Sequence, residues 1–181
     1  MTHVDATTAQ RKRSFAPVVN EQVRTLILGS LPGERSLAQS EYYAHPQNKF
    51  WKLLSVIIDT DLTALAYADK LQTLLAHGIG LWDVVAEAQR QGSLDSHIRH
   101  HVGNELTGLI RTLPRLKTIA FNGGTAEKLG IKALQEDALH YRIVRLPSSS
   151  PAHTLAYALK LEQWQRLLNE KRKETENEQE K

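Results

Sequence analysis

Three short apolar runs, each breaking off into a loop of glycine, proline, serine or asparagine, limit what this chain can fold into. Residues 23–28 lead into Gly29-Ser30-Leu31-Pro32-Gly33, residues 116–121 into Asn122-Gly123-Gly124, and residues 141–146 into Pro147-Ser148-Ser149-Ser150-Pro151. The runs do not alternate cleanly between apolar and polar residues, which is the pattern of strands covered on both faces. A further run, residues 79–85, reads as a short strand or extended turn. Between the runs, apolar residues recur at helical spacing. Phe50, Leu53, Leu54, Ile57 and Ile58 form one stripe over 49–59, with Trp51 off it. Leu62, Leu65, Leu71, Leu74 and Leu75 form another over 61–77, which Gly78 can cap. Strands alternating with helices predict an α/β protein: a three-layer αβα sandwich around a central, mainly parallel four-stranded sheet.

Further helices are expected over 104–113, closed by Pro114, from a Thr125 cap to about Gly130, and over 152–171. In the last, Leu155, Leu159, Trp164, Leu167 and Leu168 point inward. Residues 86–92 are polar and suggest no element, and Ser93-Leu94-Asp95-Ser96 resembles the start of a helix. Residues 1–20 read as a flexible tail that becomes ordered near 15–19, residues 21–171 as one domain, and 172–181 as a charged tail. A chain of 181 residues suits a single core.

The bulk composition excludes several classes. With no cysteine, the chain has neither a disulfide nor a thiolate-held iron–sulfur cluster. No apolar run reaches the roughly 20 residues of a membrane span, and the first residues lack the apolar core of a signal peptide, so a cytoplasmic protein without membrane contact is expected. The net charge of +3 permits an anionic partner without demanding one. Basic residues gather at 11–13, at 97–101 around Arg99, and at Arg111, Arg115 and Lys117. Each group suits either a nucleic-acid contact or ordinary surface charge.

In α/β sheets ligands bind at the carboxyl edge of the strands, so the three polar loops should meet there. They hold no phosphate loop of the GKS or GKT type, no GxGxxG after a strand, and no Ser-His-Asp arrangement. His97, His100 and His101 with Asp95 have the composition of a metal site, but their basic, polar setting reads as surface, and no metal is assigned. What remains is a set of backbone amides, asparagines, serines and aromatic rings. Such a set reads hydrogen bonds and stacks on planes, and it suits a planar heterocycle better than a carbonyl or phosphoryl group.

GSLPG (29–33) and AHPQNKFW (44–51) carry a specific resemblance to the uracil-DNA glycosylase superfamily, whose mismatch-specific members have GxNPG followed by an AHPxNRFW-type segment. LPSSSPAH (146–153) is similar to the second signature of that superfamily, and GLWD (80–83) with GSLD (92–95) are also shared. The resemblance covers about residues 23–168 and is greatest to the hypoxanthine-DNA (deoxyinosine) glycosylase branch, in which the GxNPG asparagine is absent. That position is Leu31 here, which cannot orient a water. The resemblance moves the catalytic role to Asn48, a residue that also suits an N-cap of the helix beginning at Lys49. It places Tyr43 as the stacking ring for a flipped base. Gly29, Ser30, Leu31, Pro32, Gly33 and His45 become base-pocket residues. Asn122 reads the base edge or simply forms a turn before two glycines. Ser148, Ser149 and Ser150 would contact phosphate from the start of a helix. Pro151, Ala152 or His153 would enter the duplex as a wedge, although His153 stands where this branch more usually has asparagine.

The implied activity is monofunctional removal of hypoxanthine from DNA by a monomer that needs no cofactor. Breaking the bond leaves an oxocarbenium-like sugar and a base gaining negative charge, so oriented donors and a positioned water would suffice. No lysine occupies an attacking position in either signature loop. The alternatives are a uracil- or xanthine-directed enzyme of the same fold, a binder of damaged DNA that does not cut, and an enzyme acting on free nucleotides.

Overall fold

A computed structural model describes residues 10–168. In chain order its strands are β1 (Arg11–Arg13), β2 (Thr25–Gly29), β3 (Ile79–Asp83), β4 (Val85–Gln89), β5 (Arg99–Gly103), β6 (Thr118–Asn122) and β7 (Arg142–Leu146). Its helices are α1 (Glu34–Gln39), α2 (Phe50–Ile57), α3 (Tyr67–Ala76), α4 (Leu106–Ile110), α5 (Gly124–Leu134) and α6 (Tyr157–Trp164).

Four strands form an all-parallel sheet in the order β3-β2-β6-β7. Successive side chains of a strand face opposite ways, and both faces here are covered. Ile27, Leu81 and Ala120 pack with α2, α3 and α6, including Phe50, Leu54, Leu74 and Trp164. Leu26, Leu28, Ile119 and Phe121 pack on the other side with α4, α5 and the start of β4. That double burial is why the strands read as continuous apolar runs. The predicted sandwich and its parallel sheet are present. After β2 the chain builds outward to β3, then returns to place β6 on the other flank of β2, so the order reverses between β2 and β6. Crevices at such reversals are where ligands bind in open α/β sheets.

Several local expectations need correction. The expected order near 15–19 is present, with Val18 bridging to Leu81, but order begins earlier than expected: β1 pairs antiparallel with β4, which pairs with β5, making a second, three-stranded sheet. The pairing of β4 with β5 shifts register twice, so Val85 and Ala88 are buried while the alternation that would mark a strand is lost. The triplet 11–13 is spent on ion pairs, Arg11 and Arg13 with Glu87 and Lys12 with Glu34.

Helix α3 starts only at Tyr67, because Asp61 accepts bonds from the amide and hydroxyl of Thr63 and closes a turn first. Gly78, in the left-handed region, does end it. Helix α4 is shorter than expected, residues 93–96 yield only a 3₁₀ turn (Asp95–His97), and α1 was not anticipated. Helix α5 is capped by Gly123 rather than Thr125 and runs past Gly130. A Cβ on Gly130 would stand 2.1 Å from Phe121 Cε1, so this glycine lets helix and sheet meet rather than ending the helix.

The last helix begins at Tyr157, not 152, and a 3₁₀ turn follows it to Leu168. Its register also differs: Trp164 is buried, but Leu159 is 49% exposed and Lys160 is inside. Trp51 lies within the core and donates to the Tyr42 carbonyl. The expected outer tails at 1–9 and beyond 168 lie outside the described residues. No helix among those described is long and apolar enough to cross a membrane.

Candidate active site

Every residue assigned to the site from the sequence lines one cavity of about 670 Å³ at the carboxyl edge of the parallel sheet. A cavity of this size holds a drug-sized or nucleotide-sized ligand.

The first loop leaves β2 at Gly29 and is held from below. Arg90, only 3% exposed, donates to the carbonyls of Leu31, Pro32 and Gly92. Ser30 donates to Asp95 Oδ1 at 2.7 Å, and the Glu34 amide donates to Ser93 Oγ. The connection between β4 and β5 thus forms a brace for the loop. Leu31 is buried and belongs to the core beneath it, while Pro32 is also buried and Gly33 caps α1.

Tyr43 sits at φ 54°, a left-handed backbone that is a rare and strained conformation for a bulky residue. The turn lays its ring on Phe50, with centroids 3.8 Å apart and planes 14° from parallel. Its hydroxyl is buried without a hydrogen-bond partner. Burial pushes that hydroxyl far up in pKa, the Asp83 charge adds to this, and the Asn122 side chain opposes it. Tyr42, beside it, also lines the cavity and donates to the Ala16 carbonyl.

Asn48 is half-buried, and its Oδ1 accepts the Phe50 amide at 3.0 Å. That bond and a place in the cavity coexist, with the side-chain NH₂ uncommitted to it, but the expected cap role moves: α2 begins at Phe50, and Lys49, not Asn48, is its N-cap residue. The adjacent Lys49 amide donates to the Ser149 carbonyl at 3.0 Å, which ties the two signature loops together. His45 is exposed at the rim, its Nδ1 accepting the Gln47 amide.

Asn122 ends β6 and is locked by Ser149. It accepts the Ser149 amide and donates to the Ser149 hydroxyl, both at 2.9 Å. Gly123, at φ 99°, brings the loop close: a Cβ there would stand 3.1 Å from Ser148 Cβ. Ser149 is only 1% exposed and faces inward, so Ser148 and Ser150 carry the more open hydroxyls. Because α6 starts at Tyr157, these serines stand on an extended loop and not at a helix terminus, contrary to expectation. Pro151, Ala152 and His153 are exposed at the rim.

Several charged residues of the site were not assigned to it from the sequence, Glu34 and Arg35 of α1 at the cavity wall among them. Asp83 ends β3 at the cavity wall, Asp95 braces Ser30, and Lys128 reaches the lining from α5. Arg90 supports the first loop, and buried Lys160 supports the second by donating to the Ser150 carbonyl at 3.1 Å. The segments 80–83 and 92–95 signalled the aspartates without a role; nothing in the sequence marks Arg90 or Lys160 as buried. His97, His100 and His101 are exposed on or beside β5, and no group of three metal-ligating side chains forms among the described residues.

The fold and the cleft define an α/β protein with one heterocycle-sized cavity at the reversal of its parallel sheet, walled by a stacking ring and two cross-braced loops. The chain belongs to the uracil DNA glycosylase superfamily, whose sequence model matches residues 16–172. It is 41% identical over 142 residues to the hypoxanthine DNA glycosylase of Methanosarcina acetivorans, covering 78% of this chain and 88% of that one. It is 42% identical over 113 residues to the hypoxanthine DNA glycosylase of Methanosarcina barkeri, covering 62% and 72%. A solution NMR structure of a Methanosarcina acetivorans protein superposes with a TM-score of 0.77 at 38% identity, over 87% of this chain and 96% of that one.

Proposed function

We propose that this protein is a monofunctional DNA glycosylase that hydrolyses the N-glycosidic bond of deoxyinosine and releases hypoxanthine, leaving an abasic site. The observation that carries the reading is the convergence of Tyr43, Asn48, Gly29 and Asn122 on one cavity, together with the similarity to two hypoxanthine DNA glycosylases.

The flipped base stacks on the face of Tyr43 away from Phe50, and the backbone of residues 29–33 closes on its edge. Asn48 holds a water below C1′. An amide is too weak a base to take the proton early, so its contribution is position. The water attacks as the bond to the base lengthens and the sugar takes on oxocarbenium character, and it releases its proton after the new C–O bond forms. Ser148 and Ser150 contact a flanking phosphate, helped by Lys160 beneath the loop. Lys49 lies close enough to Lys160 that its charge, after burial, lowers the Lys160 pKa. Two cations under a serine loop attract a phosphodiester. The exposed Pro151, Ala152 and His153 enter the gap left by the base.

Abasic-site formation on duplexes carrying one inosine, uracil or xanthine, with wild type and Asn48→Ala, tests this. Inosine is cut by wild type, and Asn48→Ala loses on the order of a hundredfold or more in rate while still binding the duplex. Borohydride trapping should give no covalent adduct; an adduct through Lys128 would make the enzyme a lyase instead. Cleavage of uracil or xanthine in preference to inosine would reassign the base. Tight binding to all three without cutting would make the protein a damage sensor.

A further inference from the structure

Asp83 is an unused group in a prominent place. It ends β3 beside Gly29 in the parallel register, lines the cavity, and is only 3% exposed. Its Oδ2 is buried with no hydrogen-bond partner, as is the Tyr43 hydroxyl. Both crowd one point above Gly29: a Cβ there would stand 2.6 Å from Asp83 Oδ1 and 2.9 Å from the Tyr43 hydroxyl. Leaving such groups unpaired is costly, and native interiors seldom do so without cause. In the wall of a binding cavity, the cause is a partner that arrives with the ligand. The carboxyl lies by the hydroxyl end of the ring on which the base stacks, where the base's edge belongs.

Resting on the glycosylase reading above, we propose that Asp83 is a catalytic residue that donates a hydrogen bond from its neutral carboxyl group to an acceptor on the edge of the departing base. The acceptor is a ring nitrogen or carbonyl oxygen, the atoms that gain negative charge as the glycosidic bond breaks. A donor fixed in a dry site stabilises that charge without reorganisation, and a carboxylic acid kept neutral by its surroundings can serve as one.

The surroundings favour the neutral form. Burial, then the charge of Asp95, push the Asp83 carboxyl up to about 7, against the pull of Arg90. The groups facing it are Asp95, Arg90, Tyr42 and Tyr43. Arg90 gives its donors to three backbone carbonyls, and Asp95 is bonded by Ser30, so neither pairs with Asp83.

Single-turnover release of hypoxanthine, with enzyme saturating over a deoxyinosine duplex, is followed from pH 5.5 to 9 for wild type, Asp83→Asn and Asp83→Ala. The wild-type rate falls with rising pH through an apparent pKa near 7. Asp83→Asn, which keeps an N–H donor of the same shape, stays within about tenfold of wild type near neutrality and loses that alkaline limb. Asp83→Ala drops about a hundredfold in rate with little change in duplex binding. A limb that persists in Asp83→Asn belongs to another group and overturns the proposal. A rate that rises through the same range overturns it too, because the carboxylate would then be accepting an N–H. The wild-type profile decides between these signs even if a variant folds poorly. If wild type releases no hypoxanthine at any pH, the glycosylase reading itself fails; release by wild type with an unaltered Asp83→Ala rate sinks only the role of Asp83.

Discussion

The ring of Tyr43 lies flat on the ring of Phe50, 3.8 Å between centroids and 14° from parallel. Phe50 is fully buried at the start of α2, so the core itself supports one face of the stacking ring and fixes the plane offered to a base. Stacking on a preset plane loses little entropy on binding.

Tyr43→Ala removes that plane. Base–aromatic stacking is worth about 1–3 kcal/mol, so kcat/KM on inosine DNA should drop about 5- to 150-fold. Tyr43→Phe keeps the plane and deletes a buried, unpartnered hydroxyl, so it should melt no lower than wild type. A Tyr43→Phe variant losing several degrees of Tm would show that the hydroxyl has a partner in solution.

Asn122 and Ser149 should be energetically coupled, since each makes two bonds to the other. Asn122→Ala and Ser149→Ala should each destabilise by about 1–3 kcal/mol, and the double variant by clearly less than their sum. Denaturant titrations of the four proteins in the cycle measure this. Additive losses would mean that the two loops are held apart from this contact.

Arg90→Met keeps much of the apolar stem but strands the carbonyls of Leu31 and Pro32. Each buried carbonyl left without its donor costs about 1–3 kcal/mol. Because the loss falls on the first loop, activity should decline at temperatures where circular dichroism still shows a folded protein. Unchanged activity and Tm would leave the brace without a role.

The raised pKa of Asp83 makes stability depend on pH with a definite sign. Unfolded, this group titrates near 3.8; folded, near 7. Between those values the folded protein holds a proton that the unfolded chain releases, so the contribution to stability falls as pH rises from about 4 to 7 and stays low above that. The full effect is at most about 4 kcal/mol, from roughly three pH units at 1.36 kcal/mol each. Asp83→Asn should therefore be more stable than wild type at pH 8 and similar to it at pH 4. Parallel stability curves for the two proteins would contradict a raised pKa.

The sequence by itself determined the layers of this fold and the place of its site. Residues such as Leu26, Ile27 and Leu28 read as a doubly covered strand because both faces are apolar, and the loops after the strands declared themselves through glycines, prolines and serines that local sterics keep irregular. The signature segments then singled out the residues that line the cavity. Only the tertiary structure decided what holds those residues in place. β4 hides behind its register shifts, and Gly130 ends a helix by local rules yet sits mid-helix because Phe121 needs the room. The burial of Arg90, Lys160 and Asp83 depends on backbone carbonyls and apolar neighbours far away in the chain. Periodicity reports which face of a segment is apolar. It carries no information on which charged side chain the packing will close over, or on which polar atom the closed pocket leaves without a partner.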